Sequence, residues 1–185
     1  GVILVLAMVA ITAYQLRGVP GIMIAVDRAA DRFPVLEDCS DPVGEALWSD
    51  DGGGTLTYVT AEGSRCLQLV GGPPARWPSL TMRRFPHEWR GYSSLVLRVR
   101  HRTAGRDTVR FGVRVDDFQG VRDNDWYSAG FDATPEWRDV VLPLAGQRTR
   151  WIERPLDLSD VYSLTLFLIG PDTACRLEFA DIRLR

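Results

Sequence analysis

Between residues 94 and 116 the hydrophobic side chains fall on every second position. Leu95, Leu97 and Val99 alternate with Val96, Arg98 and Arg100, and Val109, Phe111, Val113 and Val115 alternate with Arg110, Gly112 and Arg114. A period of two sends one set to a buried face and the other to the opposite face of a strand. The pattern continues less regularly along the chain and predicts strands near 35–38, 55–61, 65–70, 78–84, 94–101, 108–116, 126–131, 138–143, 161–169 and 175–184. Turn residues fall between them, as in Gly52-Gly53-Gly54, Gly71-Gly72-Pro73-Pro74, Thr103-Ala104-Gly105 and Gly170-Pro171-Asp172. Strands at this spacing, with no helical period between them, predict an all-β antiparallel sandwich or barrel. In the last strand Leu177 and Phe179 share one parity and Ile182 and Leu184 the other, which predicts a bulge near Ala180–Asp181.

The N-terminus follows a different rule. Gly1 to Leu16 carry no charge, and Arg17 is the first charged residue. As a helix this run would span about 24 Å, slightly short of a bilayer core. Because the chain opens on Gly1 and not on Met, residues 1–17 are expected to be the end of a transmembrane helix that begins upstream. A signal-peptide core and a buried helix of the β domain are the alternatives. Residues 18–34 are expected to form a linker, with a short helix over 22–33 lying at the membrane surface and ending before Pro34. The β domain then occupies 35–185.

Composition changes the picture little. The net charge of −2 gives no global attraction toward nucleic acid or anionic membrane. Every basic residue is arginine, a composition bias that needs no ligand to explain it. Cys39, Cys66 and Cys175 lack metal-ligand spacing; one disulfide with a free thiol and three buried thiols are both compatible with the sequence. HExxH, nucleophile-elbow and phosphate-loop motifs are missing, so the sequence supports no catalytic residue.

Candidate binding chemistry lies in the loops and on the arginine faces. Asp123, Asp125, Trp126 and Tyr127 combine aromatic rings with carboxylates, the mixture a sugar site uses. Trp77 and Trp151 are further loop aromatics flanked by arginine, whereas Trp89 and Trp137 open strands and are expected to pack. Arg98, Arg100, Arg110 and Arg114 are expected on one side of one hairpin. Their mutual repulsion would favour an anionic polymer such as a uronic-acid polysaccharide, teichoic acid or lipid headgroup, unless nearby aspartates neutralise them.

The segments FPHEWRGYSSLVLRVR (85–100), FGVRVDD (111–117), PEWRDVVLPL (135–144), PLDLSDVYSLTLFL (155–168) and the closing LEFADIRLR together resemble a galactose-binding-like β-jelly roll of the carbohydrate-binding-module type. The resemblance covers residues 33–185. It implies recognition of a cell-envelope polysaccharide without catalysis, and it implies that a structural calcium could sit at Glu37, Asp38 and Asp181. An apolar helix, a linker and then "FPVLED" also resemble the C-terminal part of VanZ-like membrane proteins, whose membrane-region positions are not present here. On that resemblance the domain is expected to be membrane-tethered and extracytoplasmic, in the periplasm or at the cell surface. A partner-docking domain and an envelope glycoside hydrolase are the alternative functions.

Overall fold

The computed structural model describes residues 19–185, and among them eleven strands form two antiparallel sheets packed face to face. One sheet runs β3 (Thr55–Ala61), β4 (Ser64–Gly71), β11 (Cys175–Leu184), β6 (Ser94–His101) and β9 (Arg138–Pro143), with β1 (Val35–Glu37) also paired to β11. The other runs β2 (Trp48–Asp51), β5 (Ser79–Met82), β10 (Val161–Leu168), β7 (Val109–Asp117) and β8 (Tyr127–Ala133). All ten expected strands are present, several shifted by a residue or two at their ends. The additional strand, β2, is a short polar edge strand with only Trp48 buried, so it carries no alternation to read.

The predicted inward parities form the core. Leu95, Leu97 and Val99 of one sheet and Phe111, Val113 and Val115 of the other are fully buried. Phe111 and Phe179 meet across the layers with ring centroids 5.9 Å apart, nearly perpendicular, an arrangement aromatic pairs favour. Trp89 is fully buried as expected. The bulge falls between Phe179 and Asp181. It also marks a change of neighbour on β11: residues 175–179 pair with β4, while Ile182 and Arg183 pair with β1.

One expectation about the hairpin fails. β6 and β7 are consecutive in sequence but belong to different sheets, so Arg98 and Arg100 do not share a face with Arg110 and Arg114. Each strand alternates as predicted, and the connection over 102–108 crosses between layers. On the six-stranded sheet Arg98 and Arg100 are matched by carboxylates. Arg98 pairs with Asp139 at 3.6 Å, and Arg100 is buried between Glu178 at 2.7 Å and Glu62 at 2.5 Å, with Trp137 stacked on its guanidinium.

The transmembrane helix expected over 1–17 lies outside the described residues. Among the described residues no helix is long and apolar enough to cross a membrane. The helix that is described, α1 (Val19–Arg32), is amphipathic. It buries Ala25 and Ala29, one turn apart, and is tied to the β domain by Arg28–Asp41 at 3.0 Å and Arg32–Asp38 at 2.8 Å. Most of the expected linker is therefore docked on the domain.

Cys39, Cys66 and Cys175 are free and buried. Burial, with the Glu37 carboxylate nearby, pushes the Cys39 thiol well above its usual range. Thiolate is the reactive form, so the folded chain should resist a thiol reagent such as dithionitrobenzoate and release all three thiols on denaturation. Rapid labelling of native protein would contradict this burial.

Candidate functional site

The outer face of the five-stranded sheet carries a groove of about 820 Å³ that reaches all five strands, within the size range of ligand sites. Its floor follows from the register. One row across the sheet holds Asp51, Ser79, Phe167, Gly112 and Gly130, and the next holds Ser49, Thr81, Thr165, Arg114 and Ser128. These residues have the opposite parity to the core positions Leu164, Leu166 and Leu168.

Glycines shape the floor. The Phe167 ring lies directly over Gly112, where a Cβ would fall 2.1 Å from the ring. Gly52, at the β2–β3 turn on the groove's edge, has φ +54 and comes so close to the Trp77 carbonyl that a Cβ would stand 2.3 Å from it. Only glycine adopts that conformation and that approach without strain. Trp77 then meets Phe167 edge-on with centroids 5.9 Å apart, and it is 45% exposed. A substantial aromatic surface at that end therefore remains open to solvent.

The other end is built around Arg114. Its guanidinium forms a two-nitrogen pair with Asp116, with Nε 2.9 Å and Nη2 2.5 Å from Oδ1. Ser163 donates to the other oxygen of Asp116 at 2.8 Å. The same guanidinium lies 4.0 Å from the Trp126 ring centre, a cation–π contact that holds the ring in place. Trp126 also meets Trp151 edge-on at 6.2 Å.

Trp151 sits in the long 144–160 connection, which is fastened at several points. The Arg150 amide donates to the Trp126 carbonyl at 2.8 Å, and the Trp151 amide donates to Asp125 at 2.8 Å. Asp117 accepts from Arg154 through both oxygens and from the Asp157 amide at 2.8 Å. It also caps α2 (Phe118–Asp123) by accepting from the Gly120 amide at 2.6 Å. Burial alone would raise the Asp117 carboxyl; the Arg154 guanidinium and the two amides outweigh it and hold the carboxyl below its usual range.

The residues singled out from sequence are thus divided among several places. Trp77, Trp126, Arg110 and Arg114 line the groove, and Trp151 flanks it against Trp126. Tyr127 does not: it points inward and joins the core. Asp125 is fully buried and serves as a loop fastener. Asp123 lies outside the groove beside Gln119 and Arg122. Arg98 and Arg100 are on the far sheet. Strand parity explains the Trp126–Tyr127 pair, since adjacent residues of an extended chain face opposite ways.

Glu37, Asp38 and Asp181 have other partners. Glu37 accepts from the Cys39 amide at 2.7 Å, the Trp48 indole at 3.0 Å and the Tyr58 hydroxyl at 2.7 Å. Asp38 accepts from Arg32 and Ser40, and Asp181 pairs with Arg183. Among the described residues no group of three or more His, Cys, Asp or Glu is placed to hold a metal ion.

Sequence reading missed Phe167, Thr165 and Ser163 on β10, together with Arg150. The signal was present on β10, where Ser163, Thr165 and Phe167 alternate with leucines and register opposite Asp116, Arg114 and Gly112 of β7.

No family model matches the sequence, and no curated protein matches it in a sequence comparison. Solved structures do share the fold. The family 11 carbohydrate-binding module of Clostridium thermocellum, in complex with a β-1,3-1,4-mixed-linked tetrasaccharide, superposes with a TM-score of 0.60 at 14% identity, over 81% of this chain and 93% of that one. A family 28 carbohydrate-binding module specific for non-crystalline cellulose gives 0.56 at 15% identity, over 76% and 88%. An exo-β-agarase gives 0.65 at 14% identity over 82% of this chain, which spans only 25% of that enzyme. The chain therefore has the β-sandwich fold of carbohydrate-binding modules; at such identities the likeness concerns fold alone.

Proposed function

We propose that this chain is a non-catalytic carbohydrate-binding module that holds a stretch of polysaccharide in the groove over the five-stranded sheet. The observation that carries the reading is the pairing of aromatic rings, exposed Trp77 with half-buried Phe167 and half-buried Trp126 with exposed Trp151, at the two ends of a floor of Ser, Thr, Asp and Arg side chains. Sugar rings offer apolar C–H faces that pack on aromatic rings and hydroxyls that pair with polar side chains. Solved neighbours of this fold include carbohydrate-binding modules, one of them holding a tetrasaccharide, which supports the same reading.

The non-catalytic part is supported by the two carboxylates of the groove: Asp116 is engaged by Arg114 and Ser163, and Asp51 lies beside Arg83. We also propose that the uncharged run 1–16 tethers the module at the cell envelope, facing outward. A tether would raise the effective concentration of a weak single site at that surface.

The test is titration calorimetry of the full chain against mixed-linkage β-glucan, amorphous cellulose, agarose and polygalacturonate, each with calcium and with chelator. Saturable binding to at least one is expected, and Trp126→Ala should weaken it roughly 30-fold, the loss of a central aromatic anchor worth about 2 kcal/mol. Far-UV circular dichroism of the variant should stay native. Release of reducing sugar would point to catalysis, and a folded chain that binds none of the polysaccharides would sink the proposal.

A further inference from the structure

We infer that the groove selects acidic polysaccharides, recognising carboxylate or sulfate groups on the chain through Arg110 and Arg150. The inference rests on the carbohydrate-binding reading and names the class of sugar.

Six charged side chains line the groove: Asp51, Arg83, Arg110, Arg114, Asp116 and Arg150. Two of the positive charges have acidic partners. Arg83 lies 3.9 Å from Asp51, and Arg114 is held by Asp116. Arg110 and Arg150 take part in no ion pair among the described residues, so the groove carries a surplus of positive charge although the chain is net negative.

The placement of the two guanidiniums favours an external anion. Arg110 faces Asp132 across the β7–β8 pair but forms no ion pair with it. Its guanidinium lies instead beside Gly130, with Nε 3.9 Å from the position a Cβ would occupy. The missing side chain leaves room for the guanidinium above the groove floor, on the side of Trp77 and Phe167. At the opposite end Arg150 lies 4.8 Å from the Trp151 ring centre. A guanidinium stacked on a ring keeps its in-plane N–H groups pointing outward, and these are suited to a planar carboxylate or a sulfate.

One end of the groove thus joins Trp151 to a guanidinium without an acidic partner, and the other places the unpaired Arg110 two residues along β7 from Gly112, which lies under Phe167. A neutral glucan would use the rings and leave both charges idle. A chain of uronic acids or sulfated sugars would use both. On the far sheet the outward Arg98, Arg100 and Arg183 each have a carboxylate partner from the protein itself, and Arg176 has no ion pair among the described residues.

The experiment compares matched pairs by calorimetry with the full chain: polygalacturonate against its carboxyl-reduced form, and a sulfated galactan against its desulfated form. Each is run at low and at high salt. The acidic member of at least one pair should bind about tenfold tighter, with most of the preference lost at high salt because exposed charges are screened. Whether the carboxylated pair, the sulfated pair or both respond identifies the anion. In an Arg110→Ala/Arg150→Ala variant, whose native fold circular dichroism would verify, the preference should fall to about twofold. Equal affinity within both pairs would overturn acid selectivity and leave the module reading standing. A preference that survives in the double variant would overturn the assignment to these arginines. A folded chain that binds no member, acidic or neutral, would remove the carbohydrate reading beneath it.

Discussion

Replacing Arg100 with alanine is expected to cost about 3 kcal/mol of unfolding free energy, the low end for breaking a buried ion pair. Arg100 is 2% exposed, and its Nε donates to Glu178, itself nearly buried, at 2.7 Å. Removing the guanidinium leaves the Glu178 carboxylate with Gln68 at 3.2 Å and Arg102 at 3.6 Å, neither a full replacement. It also strips the cation from the Trp137 ring, 4.3 Å away. A double-variant cycle separates these effects. Arg100→Met alone should be nearly as damaging as alanine, while Arg100→Met with Glu178→Met should recover most of the loss, because no buried charge is then left alone. Glu62→Ala removes only an exposed carboxylate and should cost far less. Urea unfolding followed by tryptophan fluorescence reads all four; a single Arg100 variant as stable as the parent would mean that solvent already satisfies this cluster.

Asp117→Asn should destabilise the chain by a similar amount, about 3 kcal/mol. Each oxygen of Asp117 faces two donors: Oδ1 the Gly120 amide and Arg154, Oδ2 the Asp157 amide and Arg154. An amide of the same shape must turn an NH₂ group toward one pair of donors and leaves the Arg154 charge uncompensated. Because folding lowers this carboxyl's pKa, its contribution is fully present above the unfolded value near 3.9 and is lost as pH falls through the lower folded value. Below about pH 4 the parent should therefore lose stability more steeply than Asp117→Asn. Parallel slopes would mean that Asp117 does not titrate in that window. The same substitution loosens the 144–160 connection that carries Trp151, so sugar binding should weaken along with stability.

The two cases differ in how visible they were beforehand. That Arg100 points away from the core followed from the alternation of β6, because side-chain parity is a local property of an extended chain. Its burial did not follow. It comes from Glu178 on β11, Glu62 at the β3–β4 turn and Trp137 before β9, which strand pairing brings together. Nothing in the local sequence sets Asp117 apart from the chain's other aspartates. Its four donors come from the helix after it and from a loop some forty residues later.

The groove shows the same division. Trp77, Trp126 and Trp151 stood out because an aromatic flanked by charges in a loop is unusual anywhere, whereas Phe167 was hidden in an apolar strand. Tyr127 was misjudged because its neighbour Trp126 looked equally polar in context, yet one step along a strand reverses the direction of the side chain.

Local pattern was enough for ten of the eleven strands, their inward faces, the bulge on β11 and the all-β class, because each depends on residues a few positions apart. Sheet membership was not. β6 pairs with β11 and β9, and β7 with β10 and β8, through registers set by distant segments. That partition sends Arg100 to one outer face and Arg114 to the other. Only the packed sandwich decides that one arginine surface is neutralised by its own carboxylates while the other opens as a groove, since charge compensation depends on which strands lie side by side and not on their order in the chain.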